Sequence, residues 1–310
     1  MNTPKLQPKK LSPAQPLLAL VCLVLLASLA PSQSRPTRVA VLDLGSAATG
    51  LHAADDIREL FRTAGPPESR REFDLIDPDQ TRAAARGAGF EGSLNLTRQQ
   101  ARDLGAAIGC DFYLIGEAQT VRRSPSTKPI YYESYATVFL VSARTGRLVL
   151  WERPTAQHDA PEESEKALRA ILSASETRER YLSALRRAQE DERAERVAVL
   201  ENSPPIIEVM SDDDSDANRD VRAPRPYRRL KPPYPQTAAV AEVEATVDVL
   251  LDVDARGEIG RVEIARWAGY GLDQSVIDTV RQMHFFPAMR DGVAIPMRVL
   301  LRYNFRKPPK

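Results

Sequence analysis

The chain has 310 residues, room for two modest domains with connectors at the usual size of about 100–200 residues each. Its 43 Lys and Arg nearly cancel 42 Asp and Glu, and the formal net charge of +1 excludes a global field for holding nucleic acid or an acidic membrane. Of the two cysteines, Cys22 falls in a targeting segment, so Cys110 has no partner for an internal disulfide or a Cys-based metal site.

Residues 1–34 carry Lys5, Lys9 and Lys10, then the apolar run 17–30 (LLALVCLVLLASLA), then small polar residues. This is the order of a secretory signal. The run is shorter than the roughly 20 apolar residues that span a bilayer comfortably. Two readings stay open: a cleaved signal peptide, or a short retained anchor with its basic side inside, since Pro31 follows Ala30 at the neatest cleavage position. Either one places the rest of the chain outside the cytoplasm, in the periplasm.

Residues 38–44 (RVAVLDL) read as a buried strand, and Leu51, Ile57, Leu60 and Phe61 follow at helical spacing. Residues 73–76 predict a second strand, 97–108 a helix opened by a Thr cap, and 112–115 a third strand. Strands alternating with helices imply an α/β layer. The stretches 131–142 and 147–153, joined across Gly146, predict a hairpin that adds an antiparallel edge to a mixed sheet. These segments make a first domain over residues 35–160.

Residues 161–200 are dense in Glu, Arg, Ala and Leu. Leu168, Ile171, Leu172, Tyr181, Leu182 and Leu185 give an apolar stripe that predicts packing on the first domain, whereas the charged half at 186–196 predicts a solvated helical spacer. Residues 201–232 hold Pro204, Pro205, the acidic stretch 211–216 and several arginines. They read as a disordered linker.

The clearest pattern lies in residues 233–310. Val243, Ala245, Val247, Val249, Leu251 and Val253 alternate with Glu244, Thr246, Asp248 and Asp252, the period of a half-buried strand. A turn at 254–257 with Gly257 leads to a second strand at 259–267. Leu272, Val276, Val280 and Met283 then predict an amphipathic helix, and 296–305 a closing strand. Trp267 and Tyr270 are expected to cap this core, the alternative being a role at an interface. The fold class is therefore α+β: an α/β mixed-sheet domain, a helical spacer and linker, and a small β-β-α-β domain.

This last segment resembles the C-terminal domain of the TonB energy-transducer family. The likeness is carried by Pro233-Tyr-Pro235, the run 247–254 with Gly257, Gly271-Leu-Asp273, Phe286-Pro-Ala288 and Asp291-Gly292. The resemblance implies a domain that captures an extended peptide of an outer-membrane receptor, or another envelope protein, by adding it to an exposed sheet edge. The closing strand is the candidate edge, with Arg298, Leu300, Arg302 and Asn304 as candidate partner-binding residues. The arginines serve equally well, on sequence alone, as solubility devices on a protected edge. Family members that transduce energy also engage inner-membrane motor proteins through a spanning helix with polar residues, followed by a long Pro-rich arm. Here the run 17–30 has no His and one polar side chain, Ser28, and the arm is short. The first domain more weakly resembles TolB N-terminal and CsgG-like envelope domains, through residues 38–44, Ile76-Asp77, 104–116 and 141–146 followed by Trp151.

Chemistry-bearing motifs are weak. Residues 45–50 have phosphate-loop glycine spacing, but Leu51 stands where the lysine belongs. Asp252, Asp254, Gly257 and Glu263 fall on calcium-loop positions, yet strands flank them where helices should be. His52, His158 and His284 share no ligand spacing. Cys110 beside Asp111 reads as a buried packing residue. The chain is read as an envelope binding protein with no enzymatic activity and no cofactor, the alternative being a structural or assembly factor of the cell envelope without energy transduction.

Overall fold

The computed structural model describes residues 35–62, 72–126, 129–201, 208–209 and 221–307. The expectations for residues 1–34 and for the acidic stretch 211–216 lie outside these described residues.

The first domain runs β1 (Thr37–Val41), α1 (Ala48–Arg62), β2 (Phe73–Leu75), α2 (Pro78–Gly87), α3 (Arg98–Ile108), β3 (Phe112–Arg123), β4 (Tyr131–Ser142), β5 (Leu148–Glu152) and β6 (Thr155–His158). Two further helices, α4 (Pro161–Leu172) and α5 (Ser175–Glu201), follow. The sheet order is β2-β1-β3-β4-β5, with β6 also paired to β4. The strand β1 lies parallel to β2 and β3, while β4 lies antiparallel to β3 on one side and β5 on the other. A strand with helices over both faces must be apolar on both, which is why 38–44 reads as a continuous run and not an alternating one.

Residues Ile57, Phe61, Leu168, Leu172, Tyr181 and Leu185 cover one face with α1, α4 and α5. Residues of α2 and α3, among them Ala85, Leu104 and Ile108, cover the other. Thr97 caps α3 in a reciprocal capping box with Gln100, as the sequence implies. The helix α2 is not legible from periodicity, because it buries only Thr81 and Ala85. Its signals are local instead: Pro78 in the first turn, and the Asp77 carboxylate accepting the Asp79 and Gln80 amides.

The charged half of α5 is largely exposed, as expected of a solvated helix, but it is not a free spacer. It lies along the first domain, with Arg186 paired to Glu72 at 2.8 Å, Glu192 to Arg144 at 2.6 Å and Glu195 to Arg147. Interleaved charges carry no apolar stripe, so only the fold reveals that Arg186, Glu192 and Glu195 meet opposite charges on the domain surface.

The second domain is built from β10 (Ala245–Val253), β11 (Ile259–Arg266), α7 (Leu272–Val280) and β15 (Met297–Phe305). Smaller pieces frame it: β7 (Glu208–Val209), β8 (Val221–Arg222), β9 (Arg225–Pro226), α6 (Gln236–Val240), β12 (Phe285–Phe286), β13 (Ala288–Arg290) and β14 (Val293–Ile295). The main sheet has the order β11-β10-β15-β7. Val247, Val249, Leu251, Val253, Leu272, Val276, Val280, Tyr303 and Phe305 form its core. The turn between β10 and β11 is held by the Asp254 carboxylate, which accepts the Arg256 and Glu258 amides at 2.8 and 2.9 Å. Gly257 takes φ +86°, and a Cβ there would run into the Phe285 carbonyl. The calcium-loop spacing is thus spent on a hairpin.

The expected disordered linker needs correction at its C-terminal end. Strands β8 and β9 pair with β13 and β12, so residues 221–226 belong to the second domain.

The expected flexible tether between two separate bodies is also corrected. Trp267, 2% exposed, joins the first domain's core, its ring 5.5 Å from Phe139 and its indole N–H donating to the Gly146 carbonyl at 3.1 Å. Tyr270 sits 5.3 Å from Trp151 and 6.0 Å from Phe139. Asn95 stitches the seam: its amide N–H donates to the Thr246 and Trp267 carbonyls at 2.9 and 2.7 Å, and its side-chain oxygen accepts Thr246 N–H at 3.2 Å. Arg98 pairs with Glu263 across the same boundary. Gly269 takes φ +73° against the Phe139 ring, leaving no room for a side chain. Trp267 is buried in the first domain's core, and Tyr270 packs against the cores of both domains.

Trp267→Ala should therefore remove about 3–5 kcal/mol and split one denaturation transition into two, read by urea titration of the full chain. An unchanged single transition would show that the seam does not couple the domains.

Candidate partner-binding edges

The four residues singled out on β15 share its solvent face, and each meets a partner on β10. The register pairs Asp252 with Arg298, Leu250 with Leu300, Asp248 with Arg302 and Thr246 with Asn304. Arg298 donates to both Asp252 oxygens at 2.5 and 2.9 Å. Arg302 donates to the Asp248 carboxylate at 2.7 and 3.1 Å, and Arg266 adds a third bond at 3.2 Å. Thr246 donates to the Asn304 side-chain oxygen at 2.8 Å. Leu300 is 49% exposed.

Asp248 is 4% exposed, yet its carboxyl titrates below the usual range. Burial alone pushes it up; the hydrogen bonds and charges of Arg302 and Arg266 outweigh that and hold it ionised. These arginines are cross-strand partners of Asp252 and Asp248, a role the sequence reading did not name.

The backbone of β15 decides what the edge offers. Its inner side pairs with β10 over the whole strand. On the outer side, β7 pairs in parallel at Met297 and Arg298. The Arg229 guanidinium donates to the Arg302 carbonyl at 2.8 Å, which shows that this residue's backbone groups point away from β10. Antiparallel ladders alternate in direction, so Leu300 and Asn304 also turn their N–H and C=O outward. The fully free border expected from sequence is corrected: the chain's own backbone covers two positions and one side chain covers a third. Among the described residues no strand pairs with 299–305 on that side. Sequence reasoning missed β7 and Arg229 because composition had consigned both to the linker. The β-branched cluster Ile206, Ile207 and Val209 was the available signal.

The loop before α7 holds the domain seam. The Asp273 carboxylate accepts the Ala268 and Gly269 amides at 2.9 and 2.8 Å, fixing the segment that carries Trp267 and Tyr270. Burial pushes this carboxyl up to about 6, and the two amides offset only part of that rise.

Two residues after β1, and just before the glycine-spaced stretch 45–50, Asp43 accepts from Arg58 at 2.6 Å and from Arg82 at 3.2 Å. Burial pushes the Cys110 thiol up to about 12, which leaves it protonated and unreactive at neutral pH. Among the described residues no three His, Cys, Asp or Glu side chains group as metal ligands, and no helix is long and apolar enough to cross a membrane.

Residues 231–306 match the family model described as the Gram-negative bacterial TonB protein C-terminal. The second domain is thus a TonB-type C-terminal domain. Among solved structures, the chain is similar to the TonB C-terminal domain of Pseudomonas aeruginosa, at 19% identity over 34% of this chain and 97% of that one, TM-score 0.26. It is also similar to the LpoB C-terminal domain of Salmonella enterica, at 17% identity over 46% and 95%, TM-score 0.25. A third is lipoprotein GNA1162 of Neisseria meningitidis, at 12% identity over 50% and 99%, TM-score 0.27. At these scores the superpositions carry no functional meaning. No curated protein sequence matches the chain.

Asp273 generates a pH prediction. Its folded pKa of about 6 lies above the ordinary 3.8, so its contribution is fully present below about pH 4 and is lost as pH rises through 6. Allowing for residual exposure, the contribution is on the order of 1–2 kcal/mol. Replacing it in D273N should flatten the stability profile between pH 4 and 6 in denaturant titrations, and an unchanged slope would reassign the effect.

Proposed function

We propose that this chain is a periplasmic envelope adaptor that captures an extended segment of an outer-membrane receptor or another envelope protein by strand addition along β15. The observation that carries this reading is the outward-facing backbone of Leu300 and Asn304, unpaired by any strand among the described residues. An exposed edge of this kind offers a row of donors and acceptors that an incoming strand satisfies. The short β7 pairing gives the guest a template: it enters next to a strand already laid parallel to β15 and either extends that pairing or replaces it. The match to the TonB C-terminal model supports a partner in the outer membrane.

A second reading, a non-transducing assembly or structural factor of the envelope, is favoured by the seam at Trp267. A C-terminal domain docked on the first domain has less reach than one on a long free arm, which suits a fixed station in an assembly. The TolB N-terminal and CsgG-like character proposed for the first domain points the same way. The two readings share the edge and differ in the partner. Coupling to inner-membrane motor proteins belongs to the first reading alone.

A photo-crosslinking residue at position 300 of the full chain, expressed in its native envelope, tests both. Crosslinks to an outer-membrane receptor support the first reading, and crosslinks to an assembly complex support the second. Products formed only with the chain's own residues would sink the edge as a docking site. Proline at the same place, L300P, removes one outward N–H while leaving the ladder to β10 intact, and edge strands tolerate it. It should lower the crosslinked yield from a neighbouring probe at Asn304 at least tenfold without changing the far-UV spectrum.

A further inference from the structure

The outer border of β15 is touched by a side chain of the same protein as well as by β7. Arg229 lies across it: the guanidinium donates to the Arg302 carbonyl at 2.8 Å and sits 5.6 Å from the centre of the Tyr303 ring. The segment that delivers it is pinned on both sides. Just after the β9–β12 pairing, Tyr227 N–H donates to the His284 carbonyl at 2.8 Å, and Leu230 packs against the second domain's core. The backbone thus holds residue 229 beside the end of β15, while the residue itself is exposed.

What Arg229 covers decides how much ladder a guest finds. The strand β7 occupies the border at Met297 and Arg298, and Arg229 occupies it at Arg302. Between them, among the described residues, only Leu300 turns its N–H and C=O outward without a strand to meet them. One such position gives an incoming strand almost no pairing. The two obstacles differ in kind. The β7 contact is backbone laid in register over two residues, whereas Arg229 holds on by a charged hydrogen bond and a ring contact, each modest at an exposed site. An exposed side chain swings aside by rotamer changes alone, without breaking any backbone bond of the fold. With Arg229 aside, residues 300, 302 and 304 offer an unbroken outward run about 13 Å long at roughly 3.3 Å per residue.

We propose that Arg229 is the gate of the β15 edge: closed, it satisfies the Arg302 carbonyl and keeps the border from pairing indiscriminately, and a guest strand opens it by supplying a backbone N–H to that same carbonyl. The gate rests on the strand-addition reading of β15 and adds how that edge is regulated. Unpaired sheet edges recruit other chains, second copies included, and a charged side chain laid at the border is one way to prevent it. The exchange replaces one donor by another, so a true guest meets little resistance. A segment with proline opposite Arg302 has no N–H to offer and is refused.

The test uses the full chain with a photo-crosslinking residue at position 300, in its native envelope. It is compared with the same chain carrying Arg229→Met, which removes the donor and keeps an apolar stem beside Tyr303, or Arg229→Lys, which keeps a cationic donor. R229M should raise the yield of partner products about fivefold, the loss of one exposed charged contact, and R229K should stay near the unmodified level. Both substitutions are exposed and should leave the urea midpoint unchanged. Purified R229M should also self-associate in sedimentation more strongly than the unmodified chain, and adding L300P should abolish the difference. Equal yields from R229M and the unmodified chain overturn the gate and leave strand addition standing. A lower yield from R229M overturns it as well and makes Arg229 part of the surface that holds the guest. Partner products absent from all three chains count against strand addition itself, and the purified protein then decides on Arg229 alone. Self-association of R229M that L300P abolishes keeps it as the guard of the edge, and unchanged sedimentation removes that role too.

Discussion

The burial of Trp267 in the first domain is the contact on which the arrangement of the whole molecule depends. It is a residue of one domain that completes the core of another, and its indole N–H finds the Gly146 carbonyl at the turn that joins β4 to β5. Burying an indole with its N–H satisfied is strongly favourable, whereas leaving it exposed beside Tyr270 would present a large apolar patch to water. Asn95 makes the fit specific, because its amide matches both a donor and acceptors on the second domain. The seam therefore sets where β11 stands relative to β5 and which edge of the second sheet stays open.

Much of this fold is written in local patterns. The alternation of residues 243–253, the capping box at Thr97 and the three- and four-residue steps of α7 each correspond to one physical requirement, and each element appears where that requirement predicts it. The order β-β-α-β followed from those patterns alone. What stayed hidden was pairing between segments distant in sequence. Residues 186–195 look the same whether or not Arg186, Glu192 and Glu195 find Glu72, Arg144 and Arg147. Trp267 at the end of a strand looks the same capping its own core or entering another.

The candidate edge was legible in outline and not in detail. Alternation placed Arg298, Leu300, Arg302 and Asn304 on one face of the closing strand, but not their cross-strand acids, since register depends on the turn and on the packing of the other face. Nor did it show β7, a two-residue strand in a stretch whose prolines and acids argued for no structure at all. Composition averages over a window, and two backbone-paired residues disappear in that average.

The ladder between β10 and β15 has one more implication. It pairs nine residues in continuous register, from Ala245 with Phe305 to Val253 with Met297. Its hydrogen bonds run across the strands, so a tug applied lengthwise along β15 strains them all together instead of peeling them one after another. Lengthwise tension on β15 is therefore shared by nine paired positions, and the domain resists it as one unit.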